Sequence, residues 1–218
     1  QILNLWQQND PSVTQLDWDY LYNANYNNLY TQNNIGGVSD SSYTAKRSKY
    51  IVEEYRLDPR HFGLNSFGKY IIDDANQINF GLSVSKYKSK NFKIMNDLLG
   101  GDFWVDIDQF AQRDFADPNL SQNDLQSINK IIKEGDVFGY NYDIHINKNE
   151  IFGEYNYNKN KIESFFGLTL SNTAFWRNGK MQNGRFPNSS LGESEKQNFT
   201  NYGLKIGYLY KLTGRHIL

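Results

Sequence analysis

The stretch Ile78-Asn79-Phe80-Gly81-Leu82-Ser83-Val84-Ser85 alternates apolar residues at even positions with small or polar residues at odd positions. A period of two is typical of a β-strand with one apolar face, because successive side chains point to opposite sides of the backbone. Most such runs in this chain are about nine to twelve residues long, which matches the length that a tilted strand needs to cross a bilayer. The sequence therefore predicts an all-β fold with about five long strands, at residues 60–72, 77–88, 138–158, 162–172 and 202–211.

The connections between these runs come in two lengths. Residues 73–76, 158–161 and 212–215 are short and rich in Asn, Asp and Gly, which tolerate turn dihedral angles. Residues 89–137 and 172–201 are long and polar, and soluble domains rarely carry structureless connections of this size. Short turns that alternate with long loops are typical of an outer-membrane barrel. We therefore expect a partial antiparallel transmembrane β-barrel wall, with long extracellular loops that carry short helices.

The run at 138–158 has to be a single long strand if the strands are to alternate up and down. Its apolar residues change from even positions, such as Ile144, to odd positions, such as Ile151, which indicates a β-bulge near residues 147–149. The alternative is a hairpin turn at the same residues, and that turn would break the alternation. We predict the long strand.

Two helices are predicted outside the strands. The first begins at Asp117-Pro118 and ends at Gly135. Its apolar stripe consists of Leu125, Ile128, Ile131 and Ile132. The second begins at Asp10-Pro11, ahead of the apolar residues Val13, Leu16 and Tyr20.

Composition excludes several classes of protein. Lys and Arg (23) nearly balance Asp and Glu (24), which argues against a nucleic-acid-binding protein. The chain has no Cys, so it has no disulfide scaffold and no thiolate chemistry. It contains no motif of a nucleophile elbow, phosphate loop or zincin, and its three histidines are scattered, so we expect no catalytic residue, no metal site and no cofactor.

The charges favour a membrane location for the alternating strands. Lys205 and Lys211 lie on the glycine side of the last strand, and the ring side carries no charge. This arrangement matters because a Lys turned toward the bilayer midplane costs about 2–4 kcal/mol. The sequence contains no apolar run long enough for a membrane-spanning helix, and no signal peptide. Five strands cannot close a barrel in lipid, so we expect the chain to be part of a larger protein.

Six segments of the chain resemble the β-barrel of a TonB-dependent outer-membrane receptor of the large Gram-negative type that imports bulky nutrients. The resemblance spans nearly the whole chain and is most specific over residues 165–216. The segments that carry it are Ser48–Arg56, Asp97–Phe110, Phe175–Gly179, Asn183–Ser190, Gly192–Lys196 and Tyr202 to the Leu-Thr-Gly-Arg turn at 212–215.

The resemblance implies that residues 1–218 are a fragment of such a barrel domain of about 22 strands. It implies location in the outer membrane, contact with outer-membrane lipid, and import driven by the TonB complex through an N-terminal plug. A surface-exposed substrate-binding lipoprotein is a further implied partner. The plug, the TonB-contact segment and the closing strand are not in this sequence, and the cargo stays open among oligosaccharide, peptide and iron chelate.

Four residues in the expected extracellular regions are candidates for substrate binding: Trp104, Asp106, Trp176 and Arg177. Exposed rings with an Arg suit sugar stacking or anionic ligands, although packing within the loops is the alternative for each of them. The acidic residues Asp97, Asp102, Asp106 and Asp108 could bind a hard cation, with solvated loop carboxylates as the alternative. The alternative for the whole chain is a soluble, secreted β-sandwich that binds glycans through exposed rings.

Overall fold

The computed structural model describes residues 2–213 and 216–217. Contacts between Cα atoms divide the chain into two units. The loop unit comprises the described residues up to Leu57, Asn91–Tyr142 and Gly179–Gly192. The sheet unit comprises Asp58–Lys90, Asp143–Asn178 and the described residues from Glu193 onward.

Most described residues lie in strands, and five of the strands are 17 to 23 residues long. In chain order the strands are β1 Leu29–Asn33, β2 Ser42–Lys46, β3 Val52–Ile71, β4 Asn76–Asp97, β5 Trp104–Val105, β6 Ile131–Ile132, β7 Val137–Lys159, β8 Ile162–Gly179, β9 Gly192–Glu193, β10 Gln197–Thr213 and β11 His216–Ile217. The main sheet has the order β11-β10-β8-β7-β4-β3, with β9 beside β8. Two small antiparallel sheets, β1-β2 and β5-β6, accompany it. Within the described residues the main sheet is open and does not close on itself.

The helices are short. They are α1 Ile2–Gln7, α2 Pro11–Thr14, α3 Trp18–Tyr26 and α4 Gln109–Asp114, with 3₁₀ turns at Ile35–Gly37, Pro118–Ser121 and Leu125–Ser127. Asp17 caps α3 by accepting a hydrogen bond from the Tyr20 amide, and Asp108 caps α4 in the same way. Over the part of the chain that the structure describes, no helix has the length and apolar character that crossing a membrane requires.

The prediction of an all-β fold with five long strands is confirmed, but the predicted strand ends were wrong. Strand β3 begins at Val52, β4 continues to Asp97, and β8 continues to Gly179. The loops predicted at 89–137 and 172–201 are therefore shorter, at 98–136 and 180–196. The strands extend into polar sequence because the backbone hydrogen bonds of a ladder do not depend on side-chain polarity.

Two of the three predicted short turns are present. The β3–β4 turn contains Asp73, whose carboxylate accepts hydrogen bonds from the amides of Ala75 and Asn76, and these bonds lower the pKa of Asp73. The β7–β8 turn contains Asn160 in the left-handed region, at φ 56°. Of the third predicted turn, 212–215, residues 214 and 215 lie outside the described residues.

The pairing of β8 with β10 defines two faces of the sheet unit. Leu204 lies opposite Leu168, Ile206 lies opposite Phe166, and the even residues of both strands form the apolar face. Lys205 lies opposite Gly167, and the odd residues form the polar face. Lys211 and Glu163 form an ion pair on that polar face. The prediction that Lys205 and Lys211 lie on the side opposite the rings is confirmed.

The same faces continue into β7 and β4. A Cβ atom on Gly167 would lie 3.7 Å from Cγ of Glu154 and 3.7 Å from Cβ of Lys205, so the even residues of β7 belong to the polar face. The Asn79 amide donates a hydrogen bond to Glu154 (3.3 Å), so the odd residues of β4 belong to it as well. The even residues of β4, from Ile78 to Val84, therefore belong to the apolar face.

Strand β3 also has alternate residues on the two faces of the sheet. The Phe80 ring covers Gly68, which places the even residues of β3 on the apolar face. The His61 ring shares a hydrogen bond with Ser85 (2.8 Å), which places the odd residues of β3 on the polar face. The two faces thus continue across all five long strands of the sheet unit.

The β-bulge predicted near residues 147–149 was wrong, and the prediction of a single long strand there is confirmed. The His145 ring stacks on Trp176 of β8, so His145 lies on the apolar face. Phe152 covers Gly81 of β4, which places Phe152 on the polar face. Alternation therefore continues from 145 to 152 without a change of side, whereas a bulge would shift it by one residue. Ile144 and Ile146 point to the polar face because of their even positions.

The apolar face of the sheet unit is exposed. Phe80 is 50% exposed, Leu168 51% and Ile206 69%. Among the described residues, all buried large apolar side chains belong to the loop unit. They form two clusters, one around Met95, Leu98, Trp104, Ile132 and Phe138, and one around Phe103, Val105 and Ile107.

The helix predicted from Asp117 to Gly135 was wrong. The segment forms two separate 3₁₀ turns, and Ile131–Ile132 is a strand that pairs with Trp104–Val105. Asn129 has a positive φ of 53°, which a continuous helix cannot accommodate. The other predicted helix does begin at Pro11, but α2 ends at Thr14 and a separate helix follows.

Candidate functional site

Trp104 is mainly a core residue of the loop unit. It lies in β5, is 9% exposed, and packs with Met95 and Phe138. Most of the Trp104 side chain is therefore packed within the loop unit, which was the alternative to substrate binding for this residue. The remaining surface of Trp104 lines a pocket that it shares with Lys93 and Tyr140, and contact of Trp104 with substrate stays a prediction.

Asp106 is a buried carboxylate, 2% exposed. Its Oδ1 accepts hydrogen bonds from the Asn123 side chain (2.7 Å) and the Gly139 amide (2.8 Å). Its Oδ2 has no hydrogen-bond partner among the described residues. Burial raises the pKa of Asp106, and the two hydrogen bonds and the charge of Lys130 oppose that rise. Through its hydrogen bond with the Gly139 amide, Asp106 connects the segment that follows β5 with strand β7. Its side chain is not exposed to solvent.

Trp176 and Arg177 belong to the sheet unit and point to opposite faces of it. The Trp176 ring stacks on His145, with centroids 4.8 Å apart and planes 6° from parallel. Lys196 Nζ lies 4.6 Å from the Trp176 centroid. The backbone of Arg177 pairs with Ser194 through bonds of 2.9 and 2.8 Å. Adjacent residues of a strand point to opposite faces, so a ligand on one face does not contact both side chains, and the prediction that Trp176 and Arg177 bind substrate stays a prediction for each of them.

The four acidic residues considered for a cation site do not converge. Asp97 accepts a hydrogen bond from the Leu99 amide, Asp102 from the Lys46 amide, and Asp108 from the first turn of α4. Each carboxylate therefore stabilises the backbone near it. Over the described part of the chain, no group of three or more His, Asp or Glu side chains is arranged to hold a metal ion.

A pocket of about 290 Å³ lies in the loop unit. Its lining combines rings with an amine, carboxylates and an amide, and its main residues are Glu53, Lys93, Trp104, Asn123, Phe138 and Tyr140. A volume just below the usual range for ligand pockets suits one sugar ring or one amino-acid side chain.

Lys93 is the central charge of this pocket. Its Nζ forms a salt bridge with Glu53 Oε2 (3.0 Å) and lies 4.9 Å from the centroid of Tyr55 and 5.9 Å from that of Tyr140. Burial disfavours the charge on Lys93, but the hydrogen bond and the charge of Glu53 outweigh burial, so the pKa of Lys93 is raised. The pocket therefore offers a cation with a paired carboxylate beside flat rings, which suits hydroxyl or amide groups of a neutral ligand.

Sequence reasoning missed this pocket. Glu53 and Tyr55 lie in a segment quoted for its resemblance, but Lys93 lies in a region predicted to be loop. Glu53 and Lys93 are 40 residues apart, and their contact depends on the extension of β3 and β4 beyond the predicted ends.

A larger cavity of about 690 Å³ lies in the sheet unit beside the short turns. Its lining includes the turn residues Asp73–Gln77 and the polar-face residues Glu163, Phe165 and Gly207. Phe165 covers Gly207, so the ring occupies space that a side chain at 207 would otherwise fill. Among the described residues that line this cavity, Asp73 stabilises the β3–β4 turn and Glu163 forms the ion pair with Lys211. These residues form no catalytic arrangement.

The geometry thus offers one exposed apolar face, one polar face and one loop pocket. Comparisons of the chain with protein-family models, with curated proteins and with solved structures gave no match.

Proposed function

We propose that this chain is part of the wall and outer loops of an outer-membrane β-barrel of the TonB-dependent importer type. In this proposal the apolar face of the sheet unit contacts lipid, and the polar face lines a hydrated interior. The pocket of the loop unit contacts a bulky nutrient on its way in. The protein transports and catalyses no reaction. The energy-coupling TonB complex acts through a plug outside this chain.

The observation that carries the proposal is the uncharged, exposed apolar face from Tyr202 to Tyr210. Its five even-numbered side chains are apolar or aromatic, and the register partners on β8 are mostly of the same kind. Eight steps of about 3.3 Å give a length of about 26 Å along the strand, and at a tilt of about 35–45° this length covers about 19–22 Å of the lipid-facing band of a barrel, which is about 25 Å tall. In water such a surface would drive association, whereas lipid solvates it.

The polar face supports the second half of the proposal. Small residues such as Gly167 and Gly203 alternate there with the charged residues Glu154, Glu163 and Lys205. These groups would lose hydration if they faced hydrocarbon, and a wet interior keeps them solvated. The interior face and the exterior face of one strand thus have the composition that a porin-like or plugged barrel requires.

Cysteine labelling tests the orientation of the strands directly, because these 218 residues contain no Cys that would also be labelled, and any Cys elsewhere in the full-length protein is first replaced by Ser. Leu204→Cys and Lys205→Cys, made separately in the full-length protein and labelled with a nitroxide, report on opposite faces of β10. In membranes we expect the label at 204 to be accessible to oxygen and protected from a water-soluble nickel chelate, and the label at 205 to show the reverse. Leu168→Cys and Thr169→Cys repeat the comparison on β8.

Two results would contradict this orientation. Equal access of the nickel chelate to both positions indicates a sheet in water. A label at 204 that neither reagent reaches indicates a covered face, as in the soluble β-sandwich.

Uptake tests the transport function. Cells that carry the full-length protein are given labelled oligosaccharides, peptides and iron chelates in parallel. We expect accumulation of one class, dependent on TonB, and a weaker accumulation with Lys93→Met, which removes the charge and leaves an unbranched side chain one atom shorter. Uptake that continues without TonB would exclude energised import.

A further inference from the structure

The apolar face of the sheet unit changes character at one level. On β4 the even residues Ile78 to Val84 are apolar, and the next even residues are Lys86, Lys88 and Lys90. On β3 the apolar-face residue Phe62 is preceded by Arg60 at the next position on the same side. Both strands therefore pass from an apolar surface to a basic one within two residues.

Contacts between side chains show that the change occurs at the same level on neighbouring strands. Lys88 Nζ lies 2.9 Å from Asp143 of β7, and two residues further along β7 the His145 ring stacks on Trp176 of β8. Lys196, directly before β10, places its Nζ 4.6 Å from the centroid of the Trp176 ring. We call Arg60, Lys86, Lys88, Lys90, His145, Trp176 and Lys196 the basic row.

The basic row keeps a positive surface after its internal pairs are formed. Asp143 neutralises Lys88, and Glu193 lies 3.8 Å from Lys196. Asp58, half-buried, lies on the same face of β3. Three further cations of the row are exposed: Arg60, Lys86 and Lys90.

We propose that the basic row binds the phosphate-bearing headgroups of the lipids whose acyl chains contact the apolar face. This inference rests on the proposed function, because it requires the apolar face to lie in a bilayer. The row directly continues that face, on the same side of the same strands, so a lipid seated on Leu82 would place its headgroup near Lys86. Phosphate oxygens accept charge-assisted hydrogen bonds from Lys and Arg.

The rings in the row suit the same level of a membrane. A Trp or His with an apolar body and a polar edge is favoured at the boundary between acyl chains and headgroups. Long Lys and Arg side chains can lay their methylene groups on the apolar surface while their charges reach the phosphates. The stacked His145, Trp176 and Lys196 combine both properties in one contact.

The test is a binding titration of the full-length protein in neutral detergent with lipid A, which carries phosphate groups. The test variant is Arg60→Gln, Lys86→Gln, Lys90→Gln. A matched control, Lys69→Gln, Lys148→Gln, Lys205→Gln, removes three positive charges from the polar face of the same unit. Each cation near an anionic surface is worth about fivefold in affinity, so we expect roughly 100-fold weaker binding for the test variant and a change below about twofold for the control.

A conservative variant, Arg60→Lys, Lys86→Arg, Lys90→Arg, checks that charge rather than folding is measured, and it should bind as the wild type does. Equal affinity of the wild type and the test variant for lipid A overturns the inference. Competition by inorganic phosphate at matched phosphate concentration also overturns it, because that result indicates a site for free anions.

Reconstitution into phosphatidylcholine vesicles separates this inference from the proposed function. A wild-type protein that does not insert into these vesicles refutes the membrane location itself. A protein that inserts, but shows no loss of lipid A affinity in the test variant, refutes the basic row alone.

Discussion

Ile206→Lys is the substitution that most directly measures what the apolar face contacts. Ile206 is the central residue of the apolar run from Tyr202 to Tyr210, and its side chain is 69% exposed in the chain. Four residues separate it from each end of the run, about 13 Å along the strand at about 3.3 Å per residue. A lysine at this position would therefore lie near the midplane of a bilayer.

The two environments predict different costs. At the midplane of a bilayer, a lysine on the lipid face of a barrel lowers the free energy of unfolding by about 2–4 kcal/mol, and near the interface by about 0–1 kcal/mol. In water, a substitution at an exposed position changes it by about 0.5 kcal/mol or less. We expect a loss of about 3 kcal/mol for Ile206→Lys and a loss below about 1 kcal/mol for Tyr210→Lys.

The assay is equilibrium urea unfolding of the full-length protein in lipid vesicles, followed by the gel mobility of the folded form. Thr169→Lys, on the polar face of β8, is the matched control, and we expect a change below about 1 kcal/mol. Equal costs for Ile206→Lys and Thr169→Lys, or a cost that does not fall from position 206 to position 210, would refute the contact of this face with lipid.

Three further predictions concern packing and charge, each measured by the same unfolding assay. Gly207→Val forces aside the ring that already fills its space and should cost about 1–3 kcal/mol, whereas Gly203→Ala, whose Cβ meets only ordinary contacts, should change stability by less than about 0.5 kcal/mol. The buried Asn25 amide donates hydrogen bonds to the carbonyls of Tyr50, Leu98 and Leu99. Asn25→Asp removes these bonds and should cost at least about 2 kcal/mol, whereas Asn27→Asp in the exposed cap should cost less than about 1 kcal/mol, and equal costs would contradict a stabilising role of the Asn25 amide. Because the pKa of Asp106 is raised in the folded state, its contribution to stability is present at acid pH and is lost as the pH rises through that pKa. The free energy of unfolding of Asp106→Asn should therefore increase relative to that of the wild type as the pH rises. A difference in unfolding free energy that stays constant with pH would contradict the raised pKa.

Alternation along the strands could be predicted from the sequence because it is a local property. The side of Phe80, Leu168 or Ile206 depends only on the count of residues along its own strand, and the structure confirms each side. The change of apolar positions in β7, by contrast, was wrongly explained by a bulge. Ile144 and Ile146, like the other even-numbered residues of β7, lie on the polar face. The composition of that face therefore changes along the strand while the backbone stays regular.

The predicted helix after Asp117 shows where local patterns mislead. Its stripe of Leu and Ile had helical spacing, but Asp, Ser and Asn in the same segment compete with helix formation through their own backbone hydrogen bonds. Gln122 instead bonds to Asn129, and Ile131–Ile132 pairs with β5 in the core of the loop unit. The strand partners of Ile131 and Ile132 lie more than 20 positions earlier in the chain, so a pattern within the segment cannot reveal the pairing.

Asn25 and Lys93 were outside any prediction for the same reason. The Asn25 side chain is fully buried and makes five hydrogen bonds, to backbone groups of residues 49, 50, 98 and 99, although the sequence shows only an Asn-rich patch. The contact of Lys93 with Glu53 requires two extended strands to pair in one register.

The sequence by itself determined the presence of the long strands, the short turns and the apolar and polar sides of β4, β8 and β10, because period and turn chemistry act between neighbours in the chain. Only the tertiary structure decided which side chains meet across strands: the loop pocket at Lys93, the burial of Trp104 and Asp106, and the row of Lys88, His145 and Trp176. Those contacts depend on strand register and on loop packing, and neither is encoded in any single stretch of residues.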